Sequence, residues 1–259
     1  MDDRAPTTPE DDRVTTFTHG GAQLVVAERG TGGRTFLLVH GIGMGRRVFG
    51  DLVEQLSPHG RVVAVDLPGY GAAEEPIRIP TIERLADLLA AYLAAEDRPD
   101  GDTIAIGHSM GSQVVAELAA RHPGAVDRVV LIGPTVDPAA RSALAQLGRL
   151  AHDLLVESPT VLLLGAREYV RAGPHLRRKM RAMLVHRPEL VYPRVTVPGL
   201  VIRGELDVVC PPAWCRQVAT ALRAPLVEIS GHGHETMIRD AAPAARAILA
   251  DLGIQPVDT

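Results

Sequence analysis

No run of apolar residues in this chain is longer than Leu88 to Ala95. A membrane-spanning helix needs about 20 such residues, so none is expected. Cysteine is scarce as well, with two among 259 residues, Cys210 and Cys215. Their close spacing with two prolines between them matches neither a disulfide framework nor a common zinc or redox pattern, and both read as free thiols. Positive charge is not in excess, because 27 Lys and Arg stand against 31 Asp and Glu for a net charge of −4. Nucleic acid and anionic membrane, which call for a basic surplus, are therefore not expected partners. The opening M-D-D-R-A-P-T-T-P-E-D-D-R is polar and acidic and lacks an apolar core. It predicts a disordered tail over 1–13 rather than a signal peptide, and a cytoplasmic location is the expectation that follows. Internal repeats are lacking too. Glycine and proline are plentiful, 25 and 20, which argues for many tight turns. With 46% hydrophobic and 22% charged residues, the composition is that of a soluble globular chain and excludes the disordered and fibrous classes.

Short β-branched or Leu-rich runs alternate with helical segments. The runs are Gln23 to Glu28, Phe36 to Val39, Val62 to Val65, Thr103 to Ile106, Val129 to Ile132, Leu200 to Arg203 and Leu226 to Ile229. Most are continuously apolar, as strands buried on both faces of a helix-covered parallel sheet are. Between them Ile82, Leu85, Leu88, Leu89 and Tyr92 recur at helical spacing, and Met110 to Arg121 forms a second helix closed by His122-Pro123. This alternation predicts an α/β fold with a mostly parallel sheet and helices on both faces. One connection breaks the rhythm: a long stretch separates Ile132 from Leu200 and carries its own helical stripes, Leu144, Leu147, Ala151, Leu154 and Leu155, then Leu176, Met180, Met183 and Leu184. An ordinary crossover is far shorter. The expected organisation is thus a core of 14–133 and 197–259 with a helical cap inserted at 134–196.

The sharpest chemical signal is Gly107-His108-Ser109-Met110-Gly111, a G-x-S-x-G between an expected strand and an expected helix. A serine on such a strained turn needs neighbours without side chains two positions before and after, which Gly107 and Gly111 supply. The helix beginning there aims its free N–H groups and positive dipole end at any anion formed beside Ser109. The competing reading is a serine helix cap. A serine hydroxyl also needs a general base, and the base an orienting carboxylate. Gly204-Glu205-Leu206-Asp207 and Ser230-Gly231-His232-Gly233-His234 follow two later strands. Both lie where α/β sheets place their sites, past the carboxyl ends of strands. Ser109, Asp207 and His234 then stand along the chain in the order serine, acid, histidine.

With His40-Gly41-Ile42-Gly43 and Asp66-Leu67-Pro68-Gly69-Tyr70-Gly71 added to these motifs, the chain resembles the α/β-hydrolase family, specifically its capped single-domain members, from about Thr15 to Leu252. The resemblance implies a serine nucleophile at Ser109 and an oxyanion hole from the backbone N–H groups of Ile42 and Met110. Its G-x-G-H histidine loop picks His234 as base. His232 is the other candidate base, and Glu205 and Asp137 are the other candidate acids. His232 and His234 form an H-x-H pair, but no further ligand follows at a typical spacing, so no metal is expected. Asp66 is expected to brace its own glycine-rich turn. The loop Gly41-Ile42-Gly43-Met44-Gly45 misses the dinucleotide fingerprint because Arg46 stands where a third glycine belongs, and it lacks a phosphate-binding lysine. No cofactor is implied. The run Arg177-Arg178-Lys179 with Arg181 is expected on a solvated helix face.

The reading is a serine hydrolase with a small-molecule substrate, acting through an acyl-enzyme. Leu, Val and Met stripes in the cap, with Met44, Met110 and Met237 beside the loops, favour a small to medium, apolar acyl group of an ester or thioester. Cleavage of a C–C bond in diketone-like substrates, acyl transfer to an alcohol or thiol, and ligand binding by a receptor on the same fold use the same residues. Dehalogenases and epoxide hydrolases of this fold use an aspartate nucleophile, against which Ser109 argues.

Overall fold

The computed structural model describes residues 13–96, 101–141, 175–238 and 240–255. Residues 1–12 of the expected tail and the Leu144 to Leu155 stripe lie outside them. Eight strands form one sheet in the order β1-β2-β4-β3-β5-β6-β7-β8. They are β1 Arg13–His19, β2 Ala22–Arg29, β3 Thr35–Val39, β4 Arg61–Asp66, β5 Thr103–His108, β6 Arg128–Ile132, β7 Gly199–Gly204 and β8 Leu226–Ile229. The strands from β3 to β8 run parallel, while β1 pairs antiparallel with β2 and β2 with β4.

The apolar runs are continuous because the sheet is covered twice. In β3, Phe36 and Leu38 join one apolar cluster and Leu37 and Val39 the other, the two-residue alternation of a pleated strand. Helices α1 Gly50–Leu56 and α6 Ala242–Asp251 cover the first face; α2 Ile82–Ala95, α3 Met110–Arg121 and α5 Pro212–Leu222 cover the second. Thr81 caps α2 by accepting a hydrogen bond from the Arg84 N–H, and α5 ends at Arg223 in the left-handed conformation.

Strand β1 is the element the apolar runs do not reveal. It is a mostly exposed edge strand, so burial left no continuous apolar signature, and it starts at Arg13, the last residue of the expected tail. Its signal is the Gly20-Gly21 pair between two β-rich stretches. Both glycines have positive φ, +58° and +76°, as a two-residue hairpin turn demands. Between β6 and β7, the described residues include α4 Leu176–Val185, whose Met180 and Met183 pack into the second-face cluster. One expectation fails here. Lys179 is buried, 3% exposed, rather than on a solvated face: α4 turns it inward beside Met180, where its ammonium donates to the Glu75 carboxylate.

Candidate active site

Strand register brings the singled-out loops to one edge. Val39 stands beside Gly107, His108 beside Ile132, Ile132 beside Ile202, and Gly204 beside Ile229. The residues after these strand ends therefore converge: Gly41 and Ile42, Ser109, Gly133, Asp207 and His234. Ser109 adopts φ 53° and ψ −116°, a conformation that costs an ordinary residue about 1–3 kcal/mol. It occupies the first position before α3, yet its side chain makes no capping bond, which removes the helix-cap reading. Its own N–H is tied to the Ile132 carbonyl at 2.9 Å. A Cβ on Gly107 would collide with the Gly111 carbonyl, and one on Gly111 with that of Val39. These two glycines let the turn close.

His234 is 3% exposed, and its Nδ1–H donates to Asp207 Oδ2 at 2.9 Å. The other carboxylate oxygen, Oδ1, accepts the backbone N–H groups of Val209 and Cys210, each at 2.8 Å. Arg203, buried at the end of β7, donates to the carbonyls of Glu205, Asp207 and Cys210 and pairs with Glu228. A charged residue inside an apolar strand was the signal for this clamp. Gly133 backs the pair: a Cβ there would stand 2.8 Å from Cε1 of His234 and 3.3 Å from Oδ2 of Asp207.

The rival candidates are occupied elsewhere. Glu205 accepts from the Ser230 hydroxyl at 2.7 Å and the Gly231 N–H at 2.9 Å, and the Ser230 bond above all holds its carboxyl below the ordinary range. His232 donates from Nδ1 to the Ser230 carbonyl. Asp137 accepts from the Ala139 N–H. Asp66 braces its turn as expected, accepting from Ala72 N–H and from both the backbone and guanidinium of Arg46.

At the two residues expected to form an oxyanion hole, Ile42 is half-buried and Met110 is 2% exposed at the start of α3. A methyl group on Gly41 would come within 3.0 Å of the Ser109 Cβ, so this loop lies against the serine. His40 holds it, donating from Nδ1 to the Gly41 carbonyl at 2.7 Å and accepting the Leu67 N–H at Nε2. Burial pushes its imidazole below the usual 6.5. Beside Met110 lies a cleft lined by Pro68, Tyr70, Ile82, Leu85 and Lys179. Lys179 is roofed there by the Tyr70 ring, with Nζ 4.4 Å from its centroid, and pairs with Glu75 at 2.8 Å.

Two groups among the described residues bring three metal-ligating atoms within 4.8 Å of one another: Asp207, Cys210 and His234, and Glu83, Glu117 and His186. In the first, the carboxylate already holds the imidazole. In the second, His186 Nε2 donates to Glu117 at 2.9 Å, a hydrogen bond joining the β6–β7 segment to α3. His232 belongs to neither.

A sequence model described as the alpha/beta hydrolase family matches residues 36–247. A pimeloyl-[acyl-carrier protein] methyl ester esterase of Aromatoleum aromaticum is 41% identical over 97 residues, 38% of this chain and 36% of that protein. The chain thus aligns with little more than a third of that relative's length. The enzyme of the same name from Vibrio campbellii is 27% identical over 208 residues, covering 77% of this chain and 76% of the relative. Among solved structures, a thermophilic esterase from Thermogutta terrifontis superposes with a TM-score of 0.75 at 23% identity, over 93% of this chain and 97% of the esterase.

Proposed function

This chain belongs to the alpha/beta hydrolase family, and from that premise we propose that it is a serine hydrolase cleaving an ester or thioester of a small to medium, largely apolar acyl group. The observation that carries the reading is Ser109, held at φ 53° on the sheet edge where Asp207 grips the imidazole of His234. Ser109 Oγ attacks the acyl carbonyl while His234 takes its proton at Nε2, the nitrogen opposite the one Asp207 holds. Asp207 keeps the Nδ1–H tautomer and steadies the imidazolium. The backbone N–H groups of Ile42 and Met110 receive the oxyanion. His234 then passes its proton to the departing alcohol or thiol, leaving an acyl-serine. Water activated by the same imidazole releases the acid. Of the expected cap at 134–196, the described helix α4 brings Lys179 and Ala182 beside Met110, next to where the acyl group would lie.

The apolar preference rests on the side chains gathered beside Met110, namely Pro68, Tyr70, Ile82 and Leu85, and on Met180 and Met183 of α4 in the same apolar cluster. Relatives named as methyl ester esterases favour ester over C–C cleavage. A fluorophosphonate probe should label wild-type protein once, at Ser109, and Ser109→Ala should abolish both labelling and turnover. With p-nitrophenyl esters from acetate upward, kcat/KM should rise up to about fourfold per methylene, the value of about 0.8 kcal/mol per buried CH2, until the pocket is full. Folded protein that takes no label overturns the serine reading. A flat series, or better turnover of carboxylate-bearing esters or diketones, overturns the substrate class.

A further inference from the structure

His108, the second residue of G-H-S-M-G, has no part in the chemistry above, yet it adjoins Ser109, Gly41 and His234. It ends β5 with no solvent exposure and is joined directly to Ser109. Its Nε2 lies 3.1 Å from the backbone carbonyl of His234. A carbonyl only accepts, so Nε2 carries the proton and Nδ1 the lone pair. Nδ1 faces Gly41: a methyl group there would stand 3.2 Å from this nitrogen, which has no hydrogen-bond partner among the described residues. The ring lies against the imidazole of His234, centroids 4.9 Å apart and planes inclined by 49°.

The residues around His234 form neither helix nor strand, lying between β8 and α6. Main-chain bonds around it run from Leu206 N–H to the His232 carbonyl and from Ile238 N–H to that of Glu235. The carbonyl of His234 itself is held from the sheet by the His108 side chain.

We propose that His108 is a positioning residue for the base: its Nε2–H pins the main chain of His234 and its ring supports the imidazole face, keeping Nε2 of His234 directed at Ser109. The proposal rests on the serine-hydrolase reading. A misplacement of about 1 Å in a reacting group can cost a hundredfold in rate, which is why a loop-borne base gains from an anchor on the central strand. The anchor must also stay uncharged. A second imidazolium this close would oppose the charge that His234 acquires in the transition state. Burial, helped by His234 itself, pushes the His108 imidazole well below its ordinary 6.5.

Two substitutions separate anchoring from packing, because a glutamine amide nitrogen falls near the place of Nε2 and an asparagine amide nitrogen near that of Nδ1. His108→Gln should keep kcat within about threefold of wild type. His108→Asn should lose about tenfold or more in kcat with KM changed less than about twofold, as the loss of one well-placed hydrogen bond to the base loop implies. Nitrogen-15 histidine NMR on the wild-type protein supplies a readout independent of turnover. His108 should be the Nε2–H tautomer throughout about pH 5.5 to 9, and the hydrogen-bonded Nδ1–H proton of His234 should broaden in His108→Asn but persist in His108→Gln. A His108 that titrates in that range, or carries its proton on Nδ1, overturns the proposal even if no variant folds. So does His108→Asn with wild-type kcat and an unchanged His234 proton. If Ser109 takes no fluorophosphonate and no ester is turned over, the hydrolase reading has failed, and the NMR comparison still decides whether His108 holds His234.

Discussion

Asp207 shows how one residue's role is set by what its two oxygens already hold. Oδ1 accepts two backbone N–H groups, and Oδ2 is left aimed at Nδ1 of His234. The carboxylate can neither rotate nor wander, and the imidazole it holds is fixed in one tautomer. Replacing it by asparagine turns one acceptor into a donor and favours the wrong tautomer, so Asp207→Asn should lower kcat/KM by up to about 10⁴ in a folded protein. Glu205 is two residues away but holds Ser230 and Gly231. Glu205→Gln should therefore cost less than about tenfold, through slackening of the histidine loop. Ester turnover by the two purified variants checks the order, and the reverse ranking would transfer the acid's role to Glu205.

Helix α4 illustrates a conflict between element and residue. Its stripe was expected to be Leu176, Met180, Met183 and Leu184, and the buried set is Leu176, Lys179, Met180 and Met183. Lys179 enters this face because Glu75, the Gly69 carbonyl and the Tyr70 ring give its ammonium what water would have given. Removing Glu75 strands a buried ammonium, which is the costly way to break such a pair, whereas removing Lys179 leaves a carboxylate that water reaches. Glu75 is 36% exposed, so solvent screens part of the effect. Glu75→Gln should thus destabilise the fold by about 1–2 kcal/mol in urea unfolding, and Lys179→Met by less. Equal losses, or a larger one for Lys179→Met, would mean that packing of the lysine stem outweighs its charge.

At the scale of the whole molecule, two imidazoles, His40 and His108, are fully buried and both lie below the ordinary 6.5, chiefly through desolvation. Above that pH neither the native nor the unfolded chain binds these protons, and stability does not depend on them. As pH falls through 6.5 the unfolded chain takes up protons that the native fold refuses, so the unfolded state gains and stability drops. Each group contributes up to about 1.4 kcal/mol per pH unit until its native value is reached. Urea unfolding should give equal stability at about pH 8 and 7 and a decline by pH 5.5, with a shallower decline in His108→Gln. A constant stability down to pH 5.5 would show that the fold accommodates both protons.

The fold class was legible in the sequence because a sheet covered on both faces needs continuously apolar strands, such as Phe36 to Val39 and Val129 to Ile132, and local composition reports that need directly. The serine turn was legible for a similar reason: Gly107 is demanded by a collision with the Gly111 carbonyl four residues on, although the demand on Gly111 comes from Val39 on the neighbouring strand β3. Strand β1 escaped notice because an exposed edge leaves no apolar record, and Lys179 was misplaced because its counter-charge sits about a hundred residues earlier, at Glu75. The G-x-G-H resemblance picked His234 over His232, but spacing alone left open which carboxylate, Asp207 or Glu205, faces the imidazole. Both carboxylates follow β7 and both histidines follow β8. The choice was made by hydrogen bonds that close only when β5, β6, β7 and β8 lie side by side, as did the contact of His108 with His234 across 126 residues of sequence. Local sterics and burial are written in consecutive residues; the pairing of charges and the aim of a side chain depend on which strand ends the sheet makes neighbours.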